Sequence, residues 1–176
     1  MSPTQGFAVW ITGLPASGKS SITRELMKEL DARGVPVVVL ESDKMRNILT
    51  PEATYSEKER EQFYRAVVLI AELITLSGMN VIIDATASQR HYRDRARSLI
   101  RRFVEVYVDC PLEVCMKRDP KGIYQRAIIL GKAATVPGVQ ASYEPPLHPE
   151  VTLDCQDPPE AGAKAIMNKL ELLLYI

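Results

Sequence analysis

Eight consecutive residues, Gly13-Leu14-Pro15-Ala16-Ser17-Gly18-Lys19-Ser20, satisfy the spacing G-x-x-x-x-G-K-[ST] in full. These residue types at this spacing fit one task, the cradling of a polyphosphate. Glycines let the backbone turn until successive N–H groups converge on anionic oxygens at the positive end of a helix. Lys19 is then expected to reach the β- and γ-phosphates, and the Ser20 hydroxyl to sit on Mg²⁺, with Ser21 beside it in the same nucleotide-binding set. The flanks agree with the motif. Apolar Ala8-Val9-Trp10-Ile11 runs into the loop, and Ile22, Leu26 and Leu30 recur at helical spacing after it. A nucleoside triphosphate with Mg²⁺ is the ligand this motif leads one to expect.

In open parallel sheets ligands lie at the carboxyl ends of the strands, and two acids fall at such ends. Asp43 follows an apolar run in Leu40-Glu41-Ser42-Asp43, and Asp84 closes Val81-Ile82-Ile83-Asp84. Asp43 would face the phosphate loop, as the base that orients an acceptor hydroxyl or as a holder of a Mg²⁺ water, and it could at the same time cap a helix over Lys44–Leu49; the catalytic role is the favoured one. Asp84 divides between support of Mg²⁺ and a cap or turn. Glu41 is a possible third member. The candidate metal set is therefore Ser20, Asp43 and Asp84, and the catalytic set Asp43 and Lys19.

Among the basic residues, Arg46, Arg60, Arg90, Arg118 and Lys121 are candidates for holding anions. Arg90, Arg93, Arg97 and Arg101 share one face of a helix expected over about 88–102, and that face reads as solvated. Arg90 is set apart by its place in the first turn, near a strand end.

Five apolar runs must position these groups: Phe7–Thr12, Val35–Glu41, Asn80–Ala85, Phe103–Asp109 and Glu150–Asp154. The second is valine-rich, as a strand buried on both faces would be. Helical patterns alternate with them. The longest follows the capping-box pair Ser56 and Glu59, carries Phe63, Val67, Ile70 and Ile74 on one face, and stops near Gly78. Its charged start at 57–61 reads as solvated, and the last helix, about 160–175, has a stripe of Ile166, Leu170 and Leu173. The alternation predicts an α/β fold, a P-loop NTPase three-layer sandwich with a mainly parallel five-stranded sheet and helices on both faces. Between about 120 and 149 the periodicity weakens while Gly, Pro and Ala accumulate, so a lid segment is expected there within one domain spanning 1–176.

Composition excludes other classes. The 176 residues balance 22 Lys and Arg against 22 Asp and Glu, so no global field favours nucleic acid or a membrane surface. No apolar run approaches the roughly 18 residues of a membrane span. The first six residues lack a charged stretch followed by an apolar one, so no signal peptide is expected and the location reads as cytoplasmic. Cys110, Cys115 and Cys155 are odd in number and lack C-x-x-C spacing, which reads as buried thiols in a reducing compartment. A GTPase would need N-K-x-D after a strand, and the only N-K, Asn168-Lys169, lies inside the last helical pattern.

The chain resembles the adenylylsulfate (APS) kinases from the phosphate loop to about Asp154. The block Val106-Tyr107-Val108-Asp109-Cys110-Pro111-Leu112-Glu113-Val114-Cys115, leading into Lys117-Arg118-Asp119-Pro120-Lys121-Gly122-Ile123-Tyr124, is similar to that family's V-D-x-P-L-E-V-C-x-x-R-D-P-K-G-L-Y. Tyr143-Glu144-Pro145-Pro146 with Pro149-Glu150 is similar to its Y-E-x-P…P-E. The resemblance implies transfer of the ATP γ-phosphate to the 3′-hydroxyl of adenylylsulfate, a nucleotide acceptor. It makes Asp43 the base and Arg46 a substrate ligand, within a stretch the family writes D-G-D-N-x-R. Tyr55 takes the place of a phenylalanine that stacks on the acceptor adenine, and Arg60 that of a substrate-binding arginine. Arg118 matches an arginine packed over the ATP adenine, and Lys121 a lysine at the anionic end of the acceptor. A homodimer is possible.

Departures cluster on the acceptor side. Glu41-Ser42 replaces Asp-Gly, Phe63 stands where a substrate-binding asparagine is usual, and Val136 replaces a second stacking phenylalanine. Asp84-Ala85-Thr86-Ala87-Ser88 replaces S-F-I-S-P and reads like the D-A-T of other small P-loop kinases. A different hydroxyl acceptor, on a sugar, a nucleotide or a nucleotide-linked compound, therefore stays open beside adenylylsulfate.

Overall fold

The computed structural model describes residues 5–131 and 135–176. Its architecture follows from the alternation of apolar strands with amphipathic helices. Strand β1 (Ala8–Thr12) is buried along its whole length and runs through the phosphate loop into helix α1 (Lys19–Ala32). Then come β2 (Val37–Glu41), α2 (Ser42–Leu49), α3 (Glu57–Leu76), β3 (Asn80–Asp84), α4 (Arg90–Leu99) and β4 (Phe103–Asp109). Short helices α5 (Leu112–Arg118) and α6 (Ile123–Leu130) precede β5 (Val151–Asp154) and α7 (Pro159–Leu172). The five strands are all parallel, in the order β2-β3-β1-β4-β5.

Successive side chains of β1 point to opposite faces, and each face meets its own helix layer. Phe7, Val9 and Ile11 pack with Ile22, Leu26 and Leu30 of α1 and Ile166, Met167 and Leu170 of α7. Ala8 and Trp10 pack with Phe63, Tyr64 and Val67 of α3 and Tyr92 and Ala96 of α4. Trp10, fully buried, donates its indole N–H to the Ala85 carbonyl at 3.1 Å, tying β1 to the end of β3. No helix of the described residues is long and apolar enough to cross a membrane.

Several expectations are corrected. The valines of β2 do not mark a doubly buried strand: β2 is a sheet edge, and Val38 is exposed. Helix α2 starts at Ser42 with Glu41 at its N-cap, so Asp43 lies in the first turn and does not cap the helix. Leu173 lies just past the end of α7 and is exposed, off the stripe formed by Ile166 and Leu170. The arginine face of α4 is not uniformly solvated. Arg93 is 1% exposed, ion-paired to the buried Glu105 of β4 at 2.7 Å, and Arg97 bridges Glu105 and Glu150. Cys110 and Cys155 are not free thiols but form a disulfide, leaving Cys115 as the buried free cysteine. Strand register explains this: Asp109 pairs with Asp154, so the next residues of β4 and β5 lie side by side, with Cα atoms 5.1 Å apart.

Of the segment expected as a lid over 120–149, residues 132–134 lie outside the described residues, and the rest forms two parts. Helix α6 and a turn closed by the Pro137–Ala141 bridge cover the cleft side. From Tyr143 onward the chain is bound to the sheet: the Tyr143 hydroxyl shares a 3.0 Å hydrogen bond with Thr12 Oγ1, and Glu144 N donates to Ser88 O at 2.7 Å.

Candidate active site

The phosphate loop adopts backbone geometry that only its sequence permits. Gly13 has φ 153°, and a Cβ there would lie 2.7 Å from the Val108 carbonyl oxygen, so a side chain is excluded. Gly18 has φ 108° immediately before α1, which leaves the helix's first N–H groups open toward the cleft. Lys19, 8% exposed, donates from Nζ to Gly13 O at 3.1 Å and Leu14 O at 2.8 Å. Burial pushes its ammonium below the ordinary lysine range, against the pull of the Asp84 carboxylate.

Parallel register brings the two strand-end acids beside the loop. Asp84 is paired across the sheet with Ile11 on one side and Glu41 on the other. It is 6% exposed; burial pushes its carboxyl above the usual range, opposed by Lys19 and a hydrogen bond from Ser20. Ser20 and Asp84 thus already face each other, whereas Asp43 is largely exposed and engages Lys121. Among the described residues no group of three His, Cys, Asp or Glu could hold a metal ion by itself. A hydroxyl and one or two carboxylates fit Mg²⁺ that takes its remaining ligands from phosphates and water.

A cleft of about 1220 Å³ joins these groups to two further regions. On one side lie Arg118 and the stretch from Asp154 to Pro159; Arg118 Nη2 donates to the Cys155 carbonyl at 2.8 Å. On the other lie Arg46, Tyr55, Arg60, Lys121 and Val136. Arg46 stacks its guanidinium 3.9 Å from the Phe63 ring centroid and 4.9 Å from that of Tyr55. Arg60 donates to the carbonyls of Tyr55, at 3.0 Å, and Thr135, at 2.5 Å, linking α3 to the covering segment. Asp43 and Asp84 line the same cleft.

Of the sequence candidates, the structure gathers the phosphate loop, Asp43, Asp84, Arg46, Tyr55, Arg60, Arg118 and Lys121 around one cleft. Phe63 and Arg90 fall outside it. Phe63 is 2% exposed in the core, so it cannot touch a substrate and supports Arg46 from behind. Arg90 donates from Nε to the Pro145 carbonyl at 2.7 Å, and its backbone N–H bonds to Glu144, so it fastens the 143–146 strap. Sequence reasoning passed over Thr86, Arg126 and the 155–159 stretch, which all line the cleft. Thr86 and 155–159 follow strand ends, so the rule that singled out Asp43 and Asp84 would have reached them; nothing local marks Arg126.

The adenylylsulphate kinase family profile matches residues 5–154. The chain is 39% identical over 174 residues to an adenylyl-sulfate kinase of Microcystis aeruginosa, covering 98% of this chain and 95% of that one. A probable adenylyl-sulfate kinase of Pyrococcus abyssi is 37% identical over 173 residues, covering 98% and 99%. The APS kinase of Mycobacterium tuberculosis, solved in complex with AMPPNP and APS, superposes with a TM-score of 0.89 at 31% identity, covering 96% of this chain and 99% of that one. The profile match over most of the chain and relatives of this identity and coverage show that the chain belongs to the adenylylsulphate kinase family.

Proposed function

We propose that this enzyme transfers the γ-phosphoryl group of ATP to the 3′-hydroxyl of adenylylsulfate, making 3′-phosphoadenylylsulfate. The observation that carries the reading is one cleft lined by the phosphate loop, Asp43 and Arg118 together with Arg46, Tyr55, Arg60 and Lys121. One side offers a phosphate loop and an arginine for an adenine; the other offers Arg46, Arg60 and Lys121 for an anionic acceptor and Tyr55 for its base.

The residues divide the work as follows. Backbone N–H groups of 13–20 and Lys19 hold the ATP phosphates, and Arg118 packs on the adenine. Phosphoryl transfer is loose, so positioning and charge neutralisation dominate the barrier. Asp43 orients the acceptor hydroxyl in line with the γ-phosphate and accepts its proton late. Lys19 neutralises charge on the transferring group. Ser20 and Asp84 would hold Mg²⁺, with Asp43 as a further candidate, and the ion would supply positive charge to offset what develops on the transferring phosphate. Residues 120–131 and 135–141 cover the site and exclude water. A cytoplasmic setting, where ATP is made available, belongs to the same reading, and so does a homodimer. The row of exposed Leu69, Leu73 and Leu76 along α3 offers an apolar surface for a second copy, which sedimentation would detect.

The test is turnover of adenylylsulfate and of a panel of hydroxyl acceptors with Mg-ATP, the product position being read by phosphorus NMR. Adenylylsulfate is expected to be the preferred acceptor. A chain that ignores it while phosphorylating a sugar would lose this reading. Asp43→Asn should cut turnover by about 10²- to 10⁴-fold, as expected for removal of a general base, while ATP still binds.

A further inference from the structure

One carboxylate outside the cleft organises its acceptor side. Glu59 lies in the first turn of α3 and does not line the cleft, and its side chain is 14% exposed. Its Oε2 accepts from Thr54 N at 2.6 Å and Thr54 Oγ1 at 2.7 Å; its Oε1 accepts from Tyr55 N at 3.3 Å and Arg46 Nη1 at 3.2 Å. Thr54, Tyr55 and Arg46 all line the cleft.

This is not the task of a capping-box glutamate. In that motif the carboxylate returns to the N-cap N–H. Here Ser56 Oγ does accept from Glu59 N, at 3.3 Å, but Ser56 N donates to Thr54 Oγ1 at 3.4 Å. The Glu59 carboxylate reaches past the cap into the loop before it. There it accepts the N–H of Tyr55, a non-glycine residue with φ 55°, a conformation that persists only when its surroundings fix it.

Arg46 is fixed in the same way. Phe63 covers it at 3.9 Å and Glu59 takes Nη1. Arg46 itself lines the cleft, so its guanidinium is held in place at the cleft wall. The hydrogen bonds from Thr54 and Tyr55 and the charge of Arg46 together outweigh burial and hold the Glu59 carboxyl below the usual range, so it stays ionised at neutral pH.

We infer that Glu59 is a positioning residue for acceptor recognition: its carboxylate sets the base platform Tyr55 and the anion ligand Arg46 in one geometry without touching the acceptor. The inference rests on the proposed acceptor side of the cleft. It predicts a loss confined to acceptor binding, since Lys19, Asp43 and Arg118 make no contact with Glu59.

The experiment is steady-state kinetics of Glu59→Gln and Glu59→Asp with adenylylsulfate and Mg-ATP. The glutamine variant should raise the acceptor KM by about tenfold or more, the size expected when hydrogen bonds to a charged group are lost. Its ATP KM and kcat should stay within about threefold of the parent on the same scale. The aspartate variant keeps the charge and should recover part of the loss. An unchanged acceptor KM, a parallel fall in kcat and ATP affinity, or an aspartate variant no better than glutamine would each overturn the inference. Amide exchange at Thr54 and Tyr55, measured by NMR without substrate, separates the two proposals. If the parent enzyme does not use adenylylsulfate, the functional reading fails; Glu59 then stands only if exchange at these two amides, and not across α3, quickens in the glutamine variant.

Discussion

Lys121, just beyond α5, donates from Nζ to the carboxylate of Asp43 in the first turn of α2, joining residues 78 positions apart across the mouth of the cleft. The hydrogen bond and charge of Asp43 raise the Lys121 pKa above the ordinary lysine range, so the lysine is charged at neutral pH. Side-chain exposures of 58% and 65% make the pair a weak source of stability, about 0–1 kcal/mol. What it does is place a cation beside the carboxylate proposed to orient the acceptor hydroxyl. Lys121→Met is therefore expected to leave the urea midpoint nearly unchanged while raising the acceptor KM by about tenfold, the loss of one charge-assisted contact. A variant with parent-like acceptor KM would remove Lys121 from substrate binding.

Asp119 anchors the covering helix. Its carboxylate accepts from the N–H groups of Ile123, Tyr124 and Gln125, at 2.7, 3.0 and 3.0 Å, satisfying the open start of α6. The Tyr124 hydroxyl in turn donates to the Pro15 carbonyl of the phosphate loop at 2.9 Å, so the cap bears on ATP binding. Asp119→Ala should cost about 1 kcal/mol, as for other helix caps, and raise the ATP KM. Burial opposes ionisation here, but the three N–H groups prevail and hold the carboxyl below its usual range. The cap is thus complete above the ordinary aspartate pKa and is lost as pH falls through the lower folded value. Circular dichroism against urea at pH 7 and ATP kinetics check both effects; an alanine variant with unaltered ATP KM would uncouple α6 from the phosphate loop.

What could be read from the chain alone followed the range of the interactions. The phosphate loop was legible because Gly13, Gly18 and Lys19 act through local backbone geometry. Asp43 and Asp84 were legible because strand ends can be located from apolar runs. The fate of the arginines on α4 was not, since nothing near Arg93 in sequence shows that Glu105 points inward from β4. Phe63 and Arg90 were misplaced for a similar reason. One faces the core behind Arg46, and the other meets a strap more than fifty residues away. Glu59 was visible as a capping-box residue, yet its work in the loop before α3 depends on Tyr55 adopting a positive φ.

The Cys110–Cys155 bond was equally hidden, because it depends on the register of two strands whose ends lie 45 residues apart. In the chain-entropy description, closing a loop of that length stabilises the fold by about 4 kcal/mol. Reduction should therefore lower the urea midpoint markedly and raise the number of thiols that react in denaturant from one to three. The Cys155 carbonyl holds Arg118, so ATP affinity is the second quantity to follow. Three reactive thiols before reduction would show that the bond does not form.

The buried charges behind the cleft allow a sharper comparison. Arg93 donates from Nε to Glu105 and from Nη2 to the Glu144 carbonyl at 2.6 Å, and it also bonds the carbonyls of Ala87 and Gln89. One guanidinium therefore joins β4, the chain after β3 and the strap whose Tyr143 packs on Tyr107. Removing one partner of such a pair leaves an uncompensated buried charge, whereas replacing both with apolar groups need not. Glu105→Gln should cost about 3–5 kcal/mol, and Arg93→Met with Glu105→Leu distinctly less. The double variant should still loosen the strap, which loses the Arg93 bond at the Glu144 carbonyl and keeps those to Ser88 and Arg90. Glu150 adds a pH signature. Burial disfavours its charge, but two hydrogen bonds from Arg97 and one from Glu105 N hold it below the ordinary glutamate range. Its contribution is present in full above the ordinary glutamate pKa and fades as pH falls through the lower folded value, so the parent should lose stability more steeply in acid than Glu150→Gln. Urea titrations at pH 7 and at decreasing acid pH measure both effects. A Glu105→Gln variant as stable as the parent would mean that Arg93 finds enough compensation in backbone carbonyls alone.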